Sequence, residues 1–492
     1  MTLRVTNTLT GEREPFEPRD PDSVLLYYCG LTTSDPPHLG HARGWVHVDV
    51  MCRWLEWLGY DVRHVENFTD VNEKIVARVG EDGDSEADVA RRYVRQVIED
   101  MRSLNLDRAE VYPRVSEHVP EIIDLVERLV ESGHAYEANG SVYFDVTSFE
   151  DYGTLSNQTV EDIESQGEAA ESEKRHPADF ALWKAGGVAP DDIAEHQHAG
   201  AAPAEEACET AQTWDSPWGE GRPGWHIECS AMSMTHLDES IDVHVGGQDL
   251  VFPHHENEIA QSEAATGEQF AKYWLHVRLL ETDDEKMSSS LGNYFSVSDA
   301  VAEYGPDVLR TFLLSTAYTS RATFSDETIA EARERWDRLQ RGYERAVAAC
   351  DSVDAYAKVE DADLRAAVDE ARADFEAAMN DDFNTRGATT ALLDLTSAVN
   401  AHVDRADGYD FRALRRAVET FEEFGGDVLG LAFGERDDGD VELADDLIEL
   451  VLDVRERERE AGNYERADEL RDDLEALGVE VQDTDDGPTF RR

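Results

Sequence analysis

Lysine is nearly absent from this chain: six occur in 492 residues (Lys74, Lys174, Lys184, Lys272, Lys286 and Lys358), and 39 of the 45 basic residues are arginine. Against 108 Asp and Glu they leave a formal net charge of −63. A field of that sign excludes unassisted binding to polyanions, so a nucleic-acid partner would have to meet a local cluster of arginines. Cysteine is scarce as well. Five in so long a chain exclude a disulfide framework and suit a reducing compartment, with metal or core roles for individual thiols. No stretch approaches the 18 or more apolar residues of a membrane span, and the Met1-Thr2-Leu3-Arg4 start has no apolar signal core. A cytoplasmic protein without a membrane partner is expected.

What the chain does have is 41% hydrophobic residues, enough for a sizeable core, and length for roughly three modules at about 150 residues each. Acid spread along the whole chain with so little lysine reads as a solvation adaptation to high salt, where self-repulsion is screened.

From residue 23 the pattern is strand, loop, helix, strand. Val24 to Cys29 form a short apolar run, Pro36-Pro37 mark a loop, and Val48, Met51, Leu55 and Leu58 recur at helical spacing until Gly59. With Val62 to Val65 as the next strand, this βαβ unit predicts a parallel sheet with ligands at the carboxyl ends of its strands, where Cys29 and the Pro-Pro loop lie. Residues 84–135 predict amphipathic helices and 141–146 a strand. From about 161 to 212 Ala, Glu, Asp, Pro and His dominate, apart from Phe180-Ala181-Leu182-Trp183, which predicts a long surface insertion, partly disordered. A second strand-loop-helix unit follows, with Ile241 to Val245 as strand, Gly246-Gly247 as turn and Pro253 opening a helix. Beyond Tyr318 the chain reads as helical, with Ile329, Trp336, Leu339, Tyr343, Val347 and Cys350 on one face and a later helix, Phe411 to Phe424, ending at Gly425-Gly426. The acidic run 435–440 predicts a linker, followed by two short amphipathic helices within 443–454 and 464–477 and a terminal strand at 479–481.

Three constellations carry candidate chemistry. His38-Leu39-Gly40-His41 puts two imidazoles at i and i+3 on a first helical turn, where N–H groups and the helix dipole favour an anion such as triphosphate. Gly40 lets a nucleotide approach the backbone; outside its βαβ context the tetrapeptide would be only a helix cap. Lys286, followed by Met287 and Ser288 to Ser290, sets one of the six lysines among hydroxyls in a loop able to neutralise a departing pyrophosphate, the plain alternative being a solvated Ser-rich loop. Third, Cys29, Cys229 and Pro253-His254-His255-Glu256-Asn257-Glu258 offer two thiolates, an imidazole and a carboxylate, a set that suits zinc. His254 and Glu258 project from one helix face, but spacing alone leaves His255 with Glu258 open. Cys52 and Cys350 fall in amphipathic helices and read as core; Cys208 reads as incidental.

His38 to His41 resembles the HIGH signature, and Lys286 to Ser290 the KMSKS loop, of class I aminoacyl-tRNA synthetases. Gly221-Arg222-Pro223-Gly224-Trp225-His226-Ile227-Glu228-Cys229-Ser230-Ala231-Met232 and Phe252-Pro253-His254-His255-Glu256-Asn257-Glu258 resemble cysteinyl-tRNA synthetases specifically. So do Ala467-Asp468-Glu469-Leu470-Arg471, Gly478-Val479 and the ending Phe490-Arg491-Arg492, so the likeness runs nearly end to end. The resemblance implies an α/β protein: a Rossmann-like parallel-sheet catalytic domain (1–318, with an insertion at about 115–220 and the lysine loop region at 281–318), an α-helical anticodon-binding bundle (319–434) and a small C-terminal α+β module (441–492). It implies ATP-dependent ligation of L-cysteine to tRNA(Cys) through cysteinyl adenylate, with Mg²⁺ accompanying ATP and one Zn²⁺ per chain recognising the thiolate. Carried over residue by residue, the implied zinc ligands are Cys29, Cys229, His254 and Glu258, which settles the choice between His254 and His255. His38, His41 and Lys286 are implied as catalytic; His38, Gly40, His41, Asp249, Lys286 and Ser289 around ATP; and Thr69, Trp225 and His244 around cysteine.

The chain departs from the family where Ser289 replaces the second lysine of KMSKS, which rests the pyrophosphate charge more heavily on Lys286, and where Phe490 replaces a tryptophan. Ala77 and Ser289 at lysine positions argue against a persulfide-forming side activity. Two rival readings share the core: a cysteine:amino-sugar ligase, which should lack the helical and C-terminal modules, and a non-catalytic tRNA-binding paralogue, which would not need His38, His41 and Lys286. Arg455, Arg466, Arg471, Arg491 and Arg492 are the candidate anticodon readers, and a monomer is expected.

Overall fold

In the strand Ser23–Tyr28 the last three residues are all buried, the pattern of a strand covered on both faces. It lies inside a four-stranded, wholly parallel sheet ordered Ala271–Val277, Ile241–Gly247, Ser23–Tyr28, Asp61–Glu66. Helix Leu39–Trp57 crosses over to Asp61–Glu66, and helix Glu256–Thr266 crosses from Ile241–Gly247 to Ala271–Val277. Two adjacent inner strands thus send their crossovers in opposite directions, and a crevice opens at their carboxyl ends. Gly59, at φ +98°, turns the chain from the first helix into the next strand, a conformation cheap only for glycine.

The computed structural model describes residues 2–160, 163, 173–282, 295–405 and 407–433, with parts of 448–491. The chain divides into the units Met1–Leu431 and Ala432–Arg492. Among the described residues no helix is long and apolar enough to cross a membrane.

Between the two halves of the parallel sheet, helix Val119–Ser132 leads into an antiparallel sheet ordered Ala135–Ala138, Ser141–Phe144, Phe180–Ala185, Gly221–Pro223. The structure corrects the expectation of a partly disordered surface insertion over 161–212. Phe180 to Trp183 belong to a core strand, with Leu182 and Trp183 fully buried. Pro190–Ile193 and Ala204–Cys208 are short helices whose Ile193 and Ala207 pack with Ile75, Val76, Val89 and Tyr93. One apolar residue per short helix is enough to dock it on a formed surface and too few to register as a period. Residues 161–162 and 164–172 lie outside the described residues. Gly246-Gly247, expected as a turn, complete the strand Ile241–Gly247, and regular helix begins at Glu256 rather than Pro253, after an irregular turn, Val251–His255.

The helices Asp326–Cys350, Ala362–Met379, Thr385–Arg405 and Phe411–Thr420 follow. Ile329, Trp336 and Leu339 are buried as spacing predicts, but Tyr343, Val347 and Cys350 are half-buried, and Gly342, Ala346 and Ala349 complete the inner face. Small residues there admit helix Thr385–Arg405 closely: a Cβ on Gly342 would sit 2.6 Å from the Thr396 side chain. The last helix continues as a wider turn, Phe421–Val428, through the Gly425-Gly426 pair expected to end it; Gly430, at φ +69° and against the Arg310 guanidinium, follows that turn.

In the second unit, described residues between 448 and 459 and between 464 and 474 are helical, and Ile448, Leu452 and Leu474 share a small core. The strand expected at 479–481 is one arm of an antiparallel hairpin, Glu480–Thr484 with Gly487–Arg491. Arg455, expected at a surface, is only 3% exposed, whereas Arg466 and Arg471 are exposed; Arg492 lies outside the described residues.

Candidate functional site

Cys29 stands one residue past the central strand, Cys229 in helix Trp225–His236, His254 in the irregular turn and Glu258 in the first turn of the following helix. Their ligand atoms lie within 4.8 Å of one another, and all four residues are buried. The two sulfurs are 3.5 Å apart, Cys29 Sγ is 3.4 Å from His254 Nε2, and His254 Nε2 is 3.3 Å from Glu258 Oε1. His255, which spacing left open, is also near: its Nε2 lies 3.9 Å from Glu258 Oε1, and with His244 and Glu258 it forms a second buried group whose ligand atoms fall within 4.8 Å of one another, while its Nδ1 meets His276 Nε2 at 2.8 Å.

Protonation within the cluster follows from contact and burial. The hydrogen bond between the sulfurs lowers the Cys29 pKa and, with burial, raises that of Cys229. Burial raises Glu258 and lowers His254. Two sulfurs, a neutral imidazole and a buried carboxylate whose Oε1 makes no hydrogen bond form a donor set that fits a divalent cation, which would compensate the charge that burial disfavours.

Neighbours hold these ligands in place. His226 Nδ1 lies 3.0 Å from His254 Nδ1, which leaves Nε2 facing the thiols. His244 Nε2 contacts Glu258 Oε2 at 3.0 Å while its ring stacks on Trp274. Asn67 Oδ1 accepts from the Tyr27 hydroxyl at 3.0 Å and from Gly30 N at 2.9 Å, and lies 3.7 Å from Cys229 Sγ. Sequence reasoning missed His226 and Asn67. The position of His226 three residues before Cys229, on one helical face, was a usable signal; Asn67 had none.

Beside the cluster opens a cleft of about 350 Å³ whose lining includes Cys29, His38, Gly40, His41, Trp225, Asp249 and Arg278. His38 is the N-cap of its helix: His38 Nδ1 accepts from Gly40 N at 3.0 Å and His41 Nδ1 from His38 N at 3.2 Å, with the rings stacked 3.9 Å apart. The cap and the anion site are therefore compatible. A neutral imidazole that accepts at Nδ1 must carry its proton on Nε2, a donor for a ligand. Burial, with His38 beside it, holds His41 well below the usual histidine range and so keeps it neutral. A Cβ on Gly40 would lie 2.7 Å from the capping ring. Gly44, which sequence reasoning passed over, leaves room for the Tyr28 hydroxyl.

Thr69 and His244 are buried away from the cleft lining. Thr69 pairs through its backbone with Leu31 and Thr33, and His244 faces Glu258. Lys286 and Ser289 lie outside the described residues. Far from the cleft in sequence, a hollow of about 490 Å³ on the helical region is lined by Arg372, Phe411, Arg412, Arg415, Arg416, Glu419 and Glu423. Arginines at i, i+3 and i+4 were the overlooked signal.

A parallel sheet with a helix N-terminus at its switch point is a setting suited to a nucleotide. The family model for the class I (C) tRNA synthetase catalytic domain matches residues 15–334, so this is a class I aminoacyl-tRNA synthetase. A DALR domain matches 374–434 and a cysteinyl-tRNA ligase anticodon binding domain 434–491. The chain belongs to the cysteine–tRNA ligase family: it is 84% identical over 491 residues to the cysteine–tRNA ligase of Haloarcula marismortui, covering 100% of both chains. It is 67% identical over 496 residues to that of Halobacterium salinarum, again covering 100% of both. Among solved structures, Mycobacterium tuberculosis methionyl-tRNA synthetase in complex with methionyl-adenylate shares the fold at a TM-score of 0.58 and 16% identity, over 83% of this chain and 89% of that one. These matches lend nothing to the amino-sugar ligase or non-catalytic readings.

Proposed function

We propose that the cleft and the four-ligand cluster form one active centre, in which L-cysteine is activated with ATP and passed to tRNA(Cys). The observation that carries this is Cys29, which belongs both to the cluster and to the cleft lining. An amino acid whose thiol points at the cluster has its carboxylate directed toward the His38–His41 turn. That carboxylate attacks the α-phosphate of ATP, the bond to the bridging oxygen breaks, and pyrophosphate leaves; a terminal ribose hydroxyl of tRNA then attacks the carbonyl and AMP departs. His38 and His41 donate from Nε2 to the phosphate as charge develops, and Lys286 neutralises pyrophosphate, with Ser289 beside it. Gly40 and Asp249 flank the nucleotide, with Mg²⁺ carried on the triphosphate. Trp225, 4.4 Å from His254 between ring centroids, walls the amino-acid pocket, and His244 supports it through Glu258.

Zinc held by Cys29, Cys229, His254 and Glu258 would supply a preference for thiolate over hydroxyl that pocket shape cannot provide against a near-isostere. Serine is then rejected in the synthetic site, with no editing domain. The domain division is 1–318, 319–434 and 441–492, and the arginine hollow gives an acidic chain a place to meet RNA phosphates. The enzyme acts as a monomer in this reading.

Cysteine-dependent exchange of labelled pyrophosphate into ATP, with and without zinc in high potassium chloride, tests the proposal. Glu258→Gln should lower zinc content and raise serine activation. Unchanged cysteine affinity in zinc-free protein would sink the metal assignment.

A further inference from the structure

The Arg43 guanidinium is fully buried and among the described residues has no carboxylate partner. It projects from the helix Leu39–Trp57 and donates to four backbone carbonyls: Nε to Arg278 at 3.0 Å, Nη1 to Leu313 at 3.1 Å, and Nη2 to Ala317 at 2.9 Å and Ser320 at 2.8 Å. Burial lowers its pKa to about 10, so it stays charged at neutral pH. A buried cation is costly, and one acid would compensate it more simply than four neutral oxygens. What four oxygens around a planar fork add is direction: the fork is fixed between two stretches of chain, Arg278 on one side and residues 313–320 on the other.

Those stretches matter because of where they lead. Arg278 lines the cleft together with Val277, Leu279 and Leu280, and so do His38, Gly40 and His41. Arg278 is held twice, since its N–H also donates to Tyr318 O at 2.8 Å, within the segment whose carbonyls Arg43 engages. Arg43 lies two residues past His41 and so ties the helix of the histidine turn to the cleft-lining stretch 277–280.

We propose that Arg43 is a positioning residue for adenylate formation, setting the separation of the two cleft walls and thereby the alignment of the α-phosphate, without touching substrate. The proposal rests on the adenylation reading above.

Arg43→Lys keeps the charge but cannot span four carbonyls with one ammonium. Arg310→Lys is the control: Arg310 is equally buried, and it bonds Asp49 and the carbonyls of Leu104, Asn105 and Leu429, none of which lines the cleft. Full-length variants are checked for cooperative melting and zinc content, then assayed for pyrophosphate exchange. Arg43→Lys should lower kcat about 30-fold with KM for cysteine and zinc content unchanged, while Arg310→Lys, at a similar loss of Tm, should stay within about twofold of parental kcat. Parental kcat in folded Arg43→Lys overturns the proposal, as does an equal fall in both variants. If Arg43→Lys does not melt cooperatively, Arg43→Gln is judged by the same kcat-against-KM split. Absence of exchange in the parent would instead strike the adenylation reading itself.

Discussion

At the end of the strand Asp61–Glu66 a carboxyl is buried against an indole. Trp45 Nε1 donates to Glu66 Oε1 at 2.9 Å, and burial pushes the Glu66 pKa up to about 8 from an ordinary 4.5. The folded state thus favours the protonated acid. Its contribution to stability is full below about pH 4.5, declines as pH rises and is gone above about pH 8. Glu66→Gln should match the parent near pH 4.5 and exceed it by on the order of 4 kcal/mol at pH 9, by urea unfolding at constant potassium chloride. Equal pH dependence in the two proteins would refute this. Sequence reading at this scale was strong where chemistry is rare and weak where it is relational. Two thiols, an imidazole and a carboxylate suggest one donor set, the family resemblance selects Cys29, Cys229, His254 and Glu258 for it, and these four converge. Glu66 and Asn67 carry no mark of their roles, because each role is a contact with a residue brought near only by the fold.

Helix packing offers a sharper test at the level of elements. Alanine in place of a mid-helix glycine ordinarily gains about 1 kcal/mol. At Gly342 the new methyl would press on Thr396 Cγ2 and Oγ1 at 2.6 Å, so overpacking should prevail. Gly342→Ala should cost about 1–3 kcal/mol, seen as a lowered Tm, and adding Thr396→Ala should recover most of it; no recovery would show that the strain lies elsewhere. Elements with a full apolar stripe were legible, as with Ile329, Trp336 and Leu339. Those held by one or two side chains were not, as with Ile193 and Ala207 in the insertion. The Phe411 helix outran its expected stop because Gly425 is buried within the turn that continues it, and packing there outweighs propensity.

For the molecule as a whole, a net charge of −63 makes salt part of the structure. At molar salt the screening length is about 3 Å, which removes long-range repulsion while leaving buried pairs such as Arg222–Glu86, at 2.7 Å, largely intact. Aminoacylation should therefore rise with potassium chloride toward molar concentrations; a maximum at low salt with steady decline would contradict this. Contact with RNA under such screening favours arginine, whose planar cation stacks as well as pairs. Replacing Arg412, Arg415 and Arg416 with Gln should raise KM for tRNA about tenfold while leaving pyrophosphate exchange unchanged; an unchanged KM would remove the hollow from the RNA-binding surface.

The central strand also dictates an order of events during synthesis. Ser23–Tyr28 pairs on one side with Asp61–Glu66 and on the other with Ile241–Gly247, and the two cluster sulfurs are 200 residues apart in the chain. Half of the sheet must therefore wait, with Val24 to Tyr28 offering one unpaired edge, while the hairpin Ala135–Ala138 with Ser141–Phe144 can already close from near neighbours. Loop-closure entropy weighs against that distant pairing relative to the local hairpin. The four-residue cluster consequently cannot close early, and a nascent chain halted before residue 241 would contain His38, His41, Cys29 and Cys229 but neither His254 nor Glu258.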